Sequence, residues 1–282
     1  MTTLTVGYWI FTFIGIISTA ITTVMCVYIF KKYTFEQRTW KKLEYQLILL
    51  RVVFDGVNNF VSCIYFLSTI FTLQYPDIFP FTVSFAIGIF ASNFLEMRSF
   101  LAAIIAIERV IASFIPLHFY GYRKRISNIP IIIFVVSTGL ACDLVLFGIC
   151  GMKLPLDPGC MSINCAIPPG YQTYTFTTRM FYSSINILFS GILCVKLLSM
   201  SLQRTCVPVD LRKPNLLSLT DGLSTLSFDL IPSLLSSYGI IDSKSLGPVV
   251  GVLRQIGRGV EAAVMVKLMK KTTTVQPSKT EE

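Results

Sequence analysis

Between Gly7 and Phe30 the chain carries no charged residue, and the run stops at Lys31 and Lys32. A helix needs roughly 20 apolar residues to cross the hydrocarbon core of a bilayer, so this run predicts a membrane span. Six more runs follow, at about Tyr45 to Phe71, Pro80 to Ser113, Pro130 to Ile149, Thr178 to Met200, Leu216 to Tyr238 and Leu246 to Met269. A surface helix of a soluble protein would show a polar face with a period of about 3.6 residues, and long stretches of these runs show none. The pattern predicts an all-α membrane protein, a seven-transmembrane helix bundle over residues 1–269, with residues 270–282 as a short cytoplasmic tail.

Lys and Arg in short loops resist translocation and so set orientation. The first, third and fifth connectors and the tail carry fourteen of them: Lys31, Lys32, Arg38, Lys41 and Lys42, then Arg123, Lys124 and Arg125, then Arg204, Arg212 and Lys213, then Lys270, Lys271 and Lys279. The other side has Lys153 and Lys244, with Arg179 at its margin. The N-terminus is therefore expected outside and the tail in the cytoplasm. The first span lacks the basic n-region of a cleavable signal and reads as retained.

Composition agrees with a bilayer as solvent. Of 282 residues 53% are hydrophobic and 14% charged, against about 25% charged in an ordinary soluble domain. The net charge of +9 does not point to nucleic acid, because the bases are confined to connectors rather than spread along a folded basic stripe. Eight cysteines show no closed zinc spacing, and Cys26, Cys63 and Cys194 read as small core residues. In the longest outer loop Cys150, Cys160 and Cys165 face an oxidising compartment, where a disulfide is plausible. Three is an odd number, and the pair stays open.

Ionisable groups inside a bilayer are costly and usually turn inward to pair. Here the acids are Asp55, Glu96, Asp143, Asp221, Asp229 and Glu261, and the bases Arg51, Arg98, Arg254 and Arg258. At 1.5 Å per residue Asp55 lies about 18 Å from the inner end of its span and Glu96 about 24 Å from the outer end of its own. Arg254 and Arg258 reach a similar depth. An interior polar network of Arg51, Asp55, Glu96, Arg98, Arg254, Arg258 and Glu261 is therefore expected to link spans two, three and seven. Arg51 with Asp55 (i,i+4) and Arg258 with Glu261 (i,i+3) share helix faces and are expected to pair locally. Static neutralisation and a two-state element both fit this pattern.

The stretch "AIERVIASFIPLHF" ends span three. Counting from Pro80, Arg109 lies about 43 Å along the helix, at the cytoplasmic rim. Glu108 and Arg109 there are followed by Pro116 and the basic cluster Arg123, Lys124 and Arg125. An arginine at the rim can be held by its neighbouring carboxylate and then released toward a cytoplasmic partner, and a plain interfacial ion pair fits as well.

Seven spans, an outside N-terminus and "ERV" closing span three, with a proline seven residues beyond the arginine, resemble a G-protein-coupled receptor. More narrowly, "MRSFLAAIIAIERVIASFIPLHFYGYRKR", "LRVVFDG", "FDLIPSLL" and "GPVVGVLRQIGRGVEAAVMVKLMKK" are similar to the nematode serpentine chemoreceptors, most closely the Srbc class. The resemblance implies that Glu108 and Arg109 form a resting lock and a G-protein-facing switch, that Asp55 is the polar residue of span two, and that Pro232 kinks span six. It implies a chemosensory receptor in the plasma membrane, in sensory cilia of neurons, with a small-molecule chemical cue and a heterotrimeric G protein as partners. Val110 stands where Tyr is usual, span seven has no N-P-x-x-Y, span six lacks C-W-x-P, and no Cys opens span three.

An enzyme is not expected. His118 is the single histidine and lies in a cytoplasmic loop, and no nucleophile and base, phosphate cradle or paired metal ligands converge. No cofactor, metal or nucleic-acid partner is expected, and homo- or hetero-oligomerisation is left open. A ligand-gated channel or small-solute transporter using the intramembrane charges as an ion path is the alternative, although the repeated halves common in transporters do not occur. The outer halves of spans three, five, six and seven are expected to line an apolar pocket for a small organic ligand, near Phe81, Ser84, Phe85, Phe181 and Ser236.

Overall fold

Threonines show how these sequences become helices in lipid. In the first helix Thr12, Thr19 and Thr22 are buried, and each hydroxyl donates to the carbonyl four residues back, at 2.8 Å. The polar groups are satisfied within the helix, so its small and polar face packs inward. Ile10, Phe13, Ile17, Ile21, Val24 and Val27 point outward. This inverts the pattern of a soluble protein.

The structure is a computed structural model describing residues 6–32, 34, 43–75, 78–123, 127–152, 166–202, 209–238 and 248–270. Its elements are α1 (Val6–Lys31), α2 (Leu43–Gln74), α3 (Phe81–Phe114), the short α4 (Pro116–Arg123) and α5 (Ile129–Asp143), which continues as a π-helical stretch, Leu144–Ile149. Then come α6 (Pro169–Leu202), α7 (Val209–Thr225), a second π-helical stretch (Leu226–Leu230), α8 (Ile231–Ser237) and α9 (Val249–Lys270). The unit from α7 to α8 is continuous and makes the sixth span, α9 the seventh. No strand occurs among the described residues.

α3 is the central helix and packs against α2, α5, α6 and α7. Three apolar clusters hold the bundle together. Phe85, Ile89, Cys142, Leu146 and Tyr171 join α3, α5 with its π stretch, and α6 at the end where α3 begins. Leu47, Phe54, Met97, Leu101, Ile105 and Val135 join α2, α3 and α5. Cys26, Ile29, Ile48, Val52, Leu217 and Met265, with neighbours, join α1, α2, α7 and α9.

Four helical stretches, Val6–Lys31, Gln46–Gln74, Ile129–Ile149 and Pro169–Met200, are long and apolar enough to span a membrane on composition alone. The other three spans carry charges along their length and turn them inward. In α3, Glu96, Arg98, Glu108 and Arg109 are all buried.

Two boundaries differ from the expected ones; the sixth span was expected from about Leu216, but α7 begins at Val209. The fifth span was expected to start near Thr178, but α6 begins at Pro169. The hydroxyls of Thr173, Thr175 and Thr178 bond back to helix carbonyls at 3.0 Å, so a stretch that reads as polar is helical. Arg179 therefore lies ten residues inside the helix, not at the margin of a loop.

Candidate functional site: a neutral charge network between five helices

At the level of Arg51 and Arg98 the bundle closes on ions rather than on hydrocarbon. Arg98 of α3 donates to Asp55 of α2 at 3.0 Å, to Asp221 of α7 at 3.1 Å and to Glu261 of α9 at 2.8 Å. Arg51 of α2 donates to Asp221 at 2.6 Å and meets Glu261. Asn186 of α6 donates to the second Asp221 oxygen at 2.9 Å, so five helices share one polar centre. A step away Arg254 donates to Asp229 at 2.7 Å, and Arg258 bridges the two groups, 3.9 Å from Asp55 and 4.0 Å from Asp229. Arg51, Arg98, Arg254 and Arg258 thus face Asp55, Asp221, Asp229 and Glu261, four against four. Net neutrality is what makes so many buried ions tolerable in a low-dielectric interior.

Six of the seven residues expected in the network are in it. Glu96 is not: it pairs with Arg179 of α6, which also donates to Ser92 at 2.9 Å. Arg258 turns to Asp55 and Asp229 instead of Glu261, and the i,i+4 pair Arg51–Asp55 stands at 3.9 Å, because Asp221 and Glu261 compete for the same guanidinium. The span-six acids Asp221 and Asp229 were left out, although charge balance points to them. The expected set had four arginines and three acids; replacing Glu96 by Asp221 and Asp229 makes it neutral.

A cavity of about 30 Å³ lies beside this centre, lined by Arg51, Asp55, Arg258 and Glu261 together with apolar residues such as Cys26 and Ala262. It has room for about one or two waters, and among the described residues the Nε of Arg51 has no hydrogen-bond partner.

At the end of α3, Ile115 leaves helical geometry with φ −131 and ψ 62, as expected of a residue preceding proline, and Pro116 starts α4. Arg109 is fully buried and its Nη2 lies 4.0 Å from Glu108. The closer partner of Glu108 is Arg123 of α4, at 2.6 Å. Arg123 also bonds Asn128, whose amide donates to Gln46 of α2 at 2.6 Å. Arg123, expected in the basic cluster of the G-protein-facing switch, is buried and fastens α4 to α3; Lys124 and Arg125 lie outside the described residues. Lys196 sits over the Phe114 ring at 5.1 Å and Lys32 over Tyr28 at 5.9 Å, as long cationic side chains do at a membrane edge.

Pro232 is buried in the first turn of α8, directly after the π stretch in which Ile231 donates to Leu226, five residues back. Proline lacks a donor and its ring excludes the carbonyl four residues before it, and the wider π turn accommodates both.

The expected pocket residues do not all converge. Phe81 and Phe85 pack in the α3, α5 and α6 cluster, and Ser84 bonds Thr72 at 2.8 Å. Ser236 is half-buried on α8. Phe181 is 62% exposed and faces outward; the adjacent Tyr182 takes the inward position, its ring tilted against that of Phe100 at 5.2 Å. Cys150 is a free thiol, so the disulfide considered for the outer loop does not engage it, and Cys160 and Cys165 lie outside the described residues.

The family model described as serpentine type 7TM GPCR chemoreceptor Srbc matches residues 4–273. No curated protein matches the chain.

Proposed function

Because the chain belongs to the Srbc family of serpentine seven-transmembrane chemoreceptors, we propose that it binds a small organic ligand between its helices and signals to a heterotrimeric G protein. In this reading its N-terminus is outside the plasma membrane, residues 1–269 form the receptor domain, residues 270–282 form the cytoplasmic tail, and the protein works in the sensory cilia of neurons. The fourteen-to-three bias of Lys and Arg supports that orientation.

The observation that carries the proposal is the network in which Asp221 and Glu261 each serve both Arg51 and Arg98. Shared partners give the bundle a second low-energy pairing, reached when one helix shifts. Breaking one buried pair costs about 3–5 kcal/mol. Moving a two-state equilibrium from 1:99 to 99:1 takes about 5.5 kcal/mol. Exchange of a single partner is therefore on the scale that a ligand can drive. At the α3 terminus, Arg109 is buried and Glu108 is held by Arg123 in this arrangement; releasing α4 exposes both to a G protein.

The test is Arg254→Gln with Arg258→Gln, compared with wild type at matched surface expression. Ligand-evoked second-messenger output is expected to be lost or to become constitutive, and unchanged signalling overturns the switch. A ligand-evoked current that persists without G protein would favour the channel reading instead.

A further inference from the structure

Asp143 differs from the other acids inside the spans. Asp55, Glu96, Asp221, Asp229 and Glu261 each meet a guanidinium. Among the described residues Asp143 has no cation at ion-pair distance and accepts one bond, from the Asn93 amide at 2.7 Å. It sits where α5 passes into its π stretch, and π turns gather at functional sites.

Three deeply buried groups nearby carry an atom with no hydrogen-bond partner among the described residues: Oε2 of Glu96, Oδ1 of Asn93 and the hydroxyl of Tyr171. Their exposures are 1%, 7% and 1%. Asn93 and Glu96 share a face of α3 at i,i+3 spacing, Asn93 donates to Asp143 of α5, Glu96 pairs with Arg179 of α6 and Tyr171 packs against Cys142, the neighbour of Asp143, so these groups form one polar layer between α3, α5 and α6. Counted formally, with both carboxyls ionised, the layer holds two acids, Glu96 and Asp143, against one base, Arg179. Asp143 is half-buried at the edge of this layer, and fully buried acceptors left without donors are costly until something supplies them.

We propose that this layer is the ammonium subsite of the ligand pocket, and that the protein recognises a small primary amine. The amine's N–H donors are shared by Asp143, Glu96 and Asn93, and its charge brings the layer to neutrality. Tyr171 and the apolar cluster of Phe85 and Ile89 receive the organic body. The inference rests on the receptor reading for the meaning of the ligand, and its test does not use the G protein.

The full chain in lipid nanodiscs is titrated with 2-phenylethylamine and a series of alkyl primary amines, and with 2-phenylethanol and phenylacetate as uncharged and anionic counterparts, following the thermal midpoint. Amines are expected to raise it and the counterparts to leave it unchanged. Asp143→Asn keeps the acceptor for Asn93 and is expected to weaken the amine at least roughly tenfold, since it deletes one close charge pair. Glu96→Gln serves the same purpose should Asp143→Asn fail to fold. Equal binding of the alcohol, stabilisation by sodium chloride and by no amine, or full amine affinity in both variants overturns the proposal. Amine binding without any cellular response would count against the receptor reading alone, and a cellular response without preference for amines would count against the subsite alone.

Discussion

Asp221 carries more of the interior than any neighbour of its size. One oxygen accepts from Arg51 and Arg98 and the other from Asn186. Asp221→Ala leaves two guanidiniums short of a partner, a loss of about 3–5 kcal/mol from a total stability of about 5–15 kcal/mol. Surface expression measured by flow cytometry is expected to fall severely. Phe181→Ala is the contrasting case: at 62% exposure on the outer side of α6, it is expected to change stability by no more than about 0.5 kcal/mol and to leave expression intact. At this scale the sequence was legible where a rule about charge applied. Intramembrane arginines have to find acids, and Arg51, Asp55, Arg98, Arg254, Arg258 and Glu261 do. Which acid each one finds was not legible, because partner choice depends on helix rotation, and rotation is set by packing. Phe181 and Tyr182 are adjacent aromatics of similar size, and the packing of α6 on α3 decides which faces lipid.

Helix pairs meet through small residues. A Cβ at Gly257 of α9 would stand 2.7 Å from Cβ of Phe228, and the Gly257 carbonyl accepts the Ser224 hydroxyl at 3.1 Å. Gly257→Val overpacks this crossing at a cost of about 1–3 kcal/mol, seen as a lower midpoint in a thermal-unfolding scan of the purified protein. Pro232→Ala restores a donor and removes the ring. The stretch Leu226–Leu230 is then expected to tighten toward α-helix, and its backbone amides to exchange more slowly in hydrogen–deuterium exchange. The resemblance implied a kink at Pro232, and the residue type alone points to the disturbed hydrogen bonding seen there, the π stretch Leu226–Leu230. The start of α6 was not legible, since hydropathy scores threonine as polar whether or not its hydroxyl is already bonded to the helix beneath it.

Across the whole molecule α1, α5 and α6 present broad apolar faces outward, with Ile17, Val24, Ile133, Phe134, Leu188 and Val195 exposed, while the charge-bearing helices α2, α3, α7 and α9 meet in the middle. The outward faces of these helices are apolar as well, at Phe60, Phe90, Leu223 and Val260, so lipid meets hydrocarbon all round the bundle while the ionic side chains stay inside. The basic ends of the bundle lie on the side of Lys31 and Arg123, so an epitope inserted after Arg125 is expected to bind antibody only after permeabilisation. Staining of intact cells would invert the molecule and remove the G-protein reading with it.

The order of synthesis gives the shared acids a further consequence. Arg51 and Arg98 leave the ribosome early, whereas Asp221 and Glu261, which close on them, belong to the last two spans. A nascent chain holding five finished spans still carries half-covered ions in the bilayer. A nonsense codon before Val209 yields a product that lacks both shared acids and that quality control recognises by those ions, so its half-life in a pulse–chase is expected to be far shorter than that of the full chain.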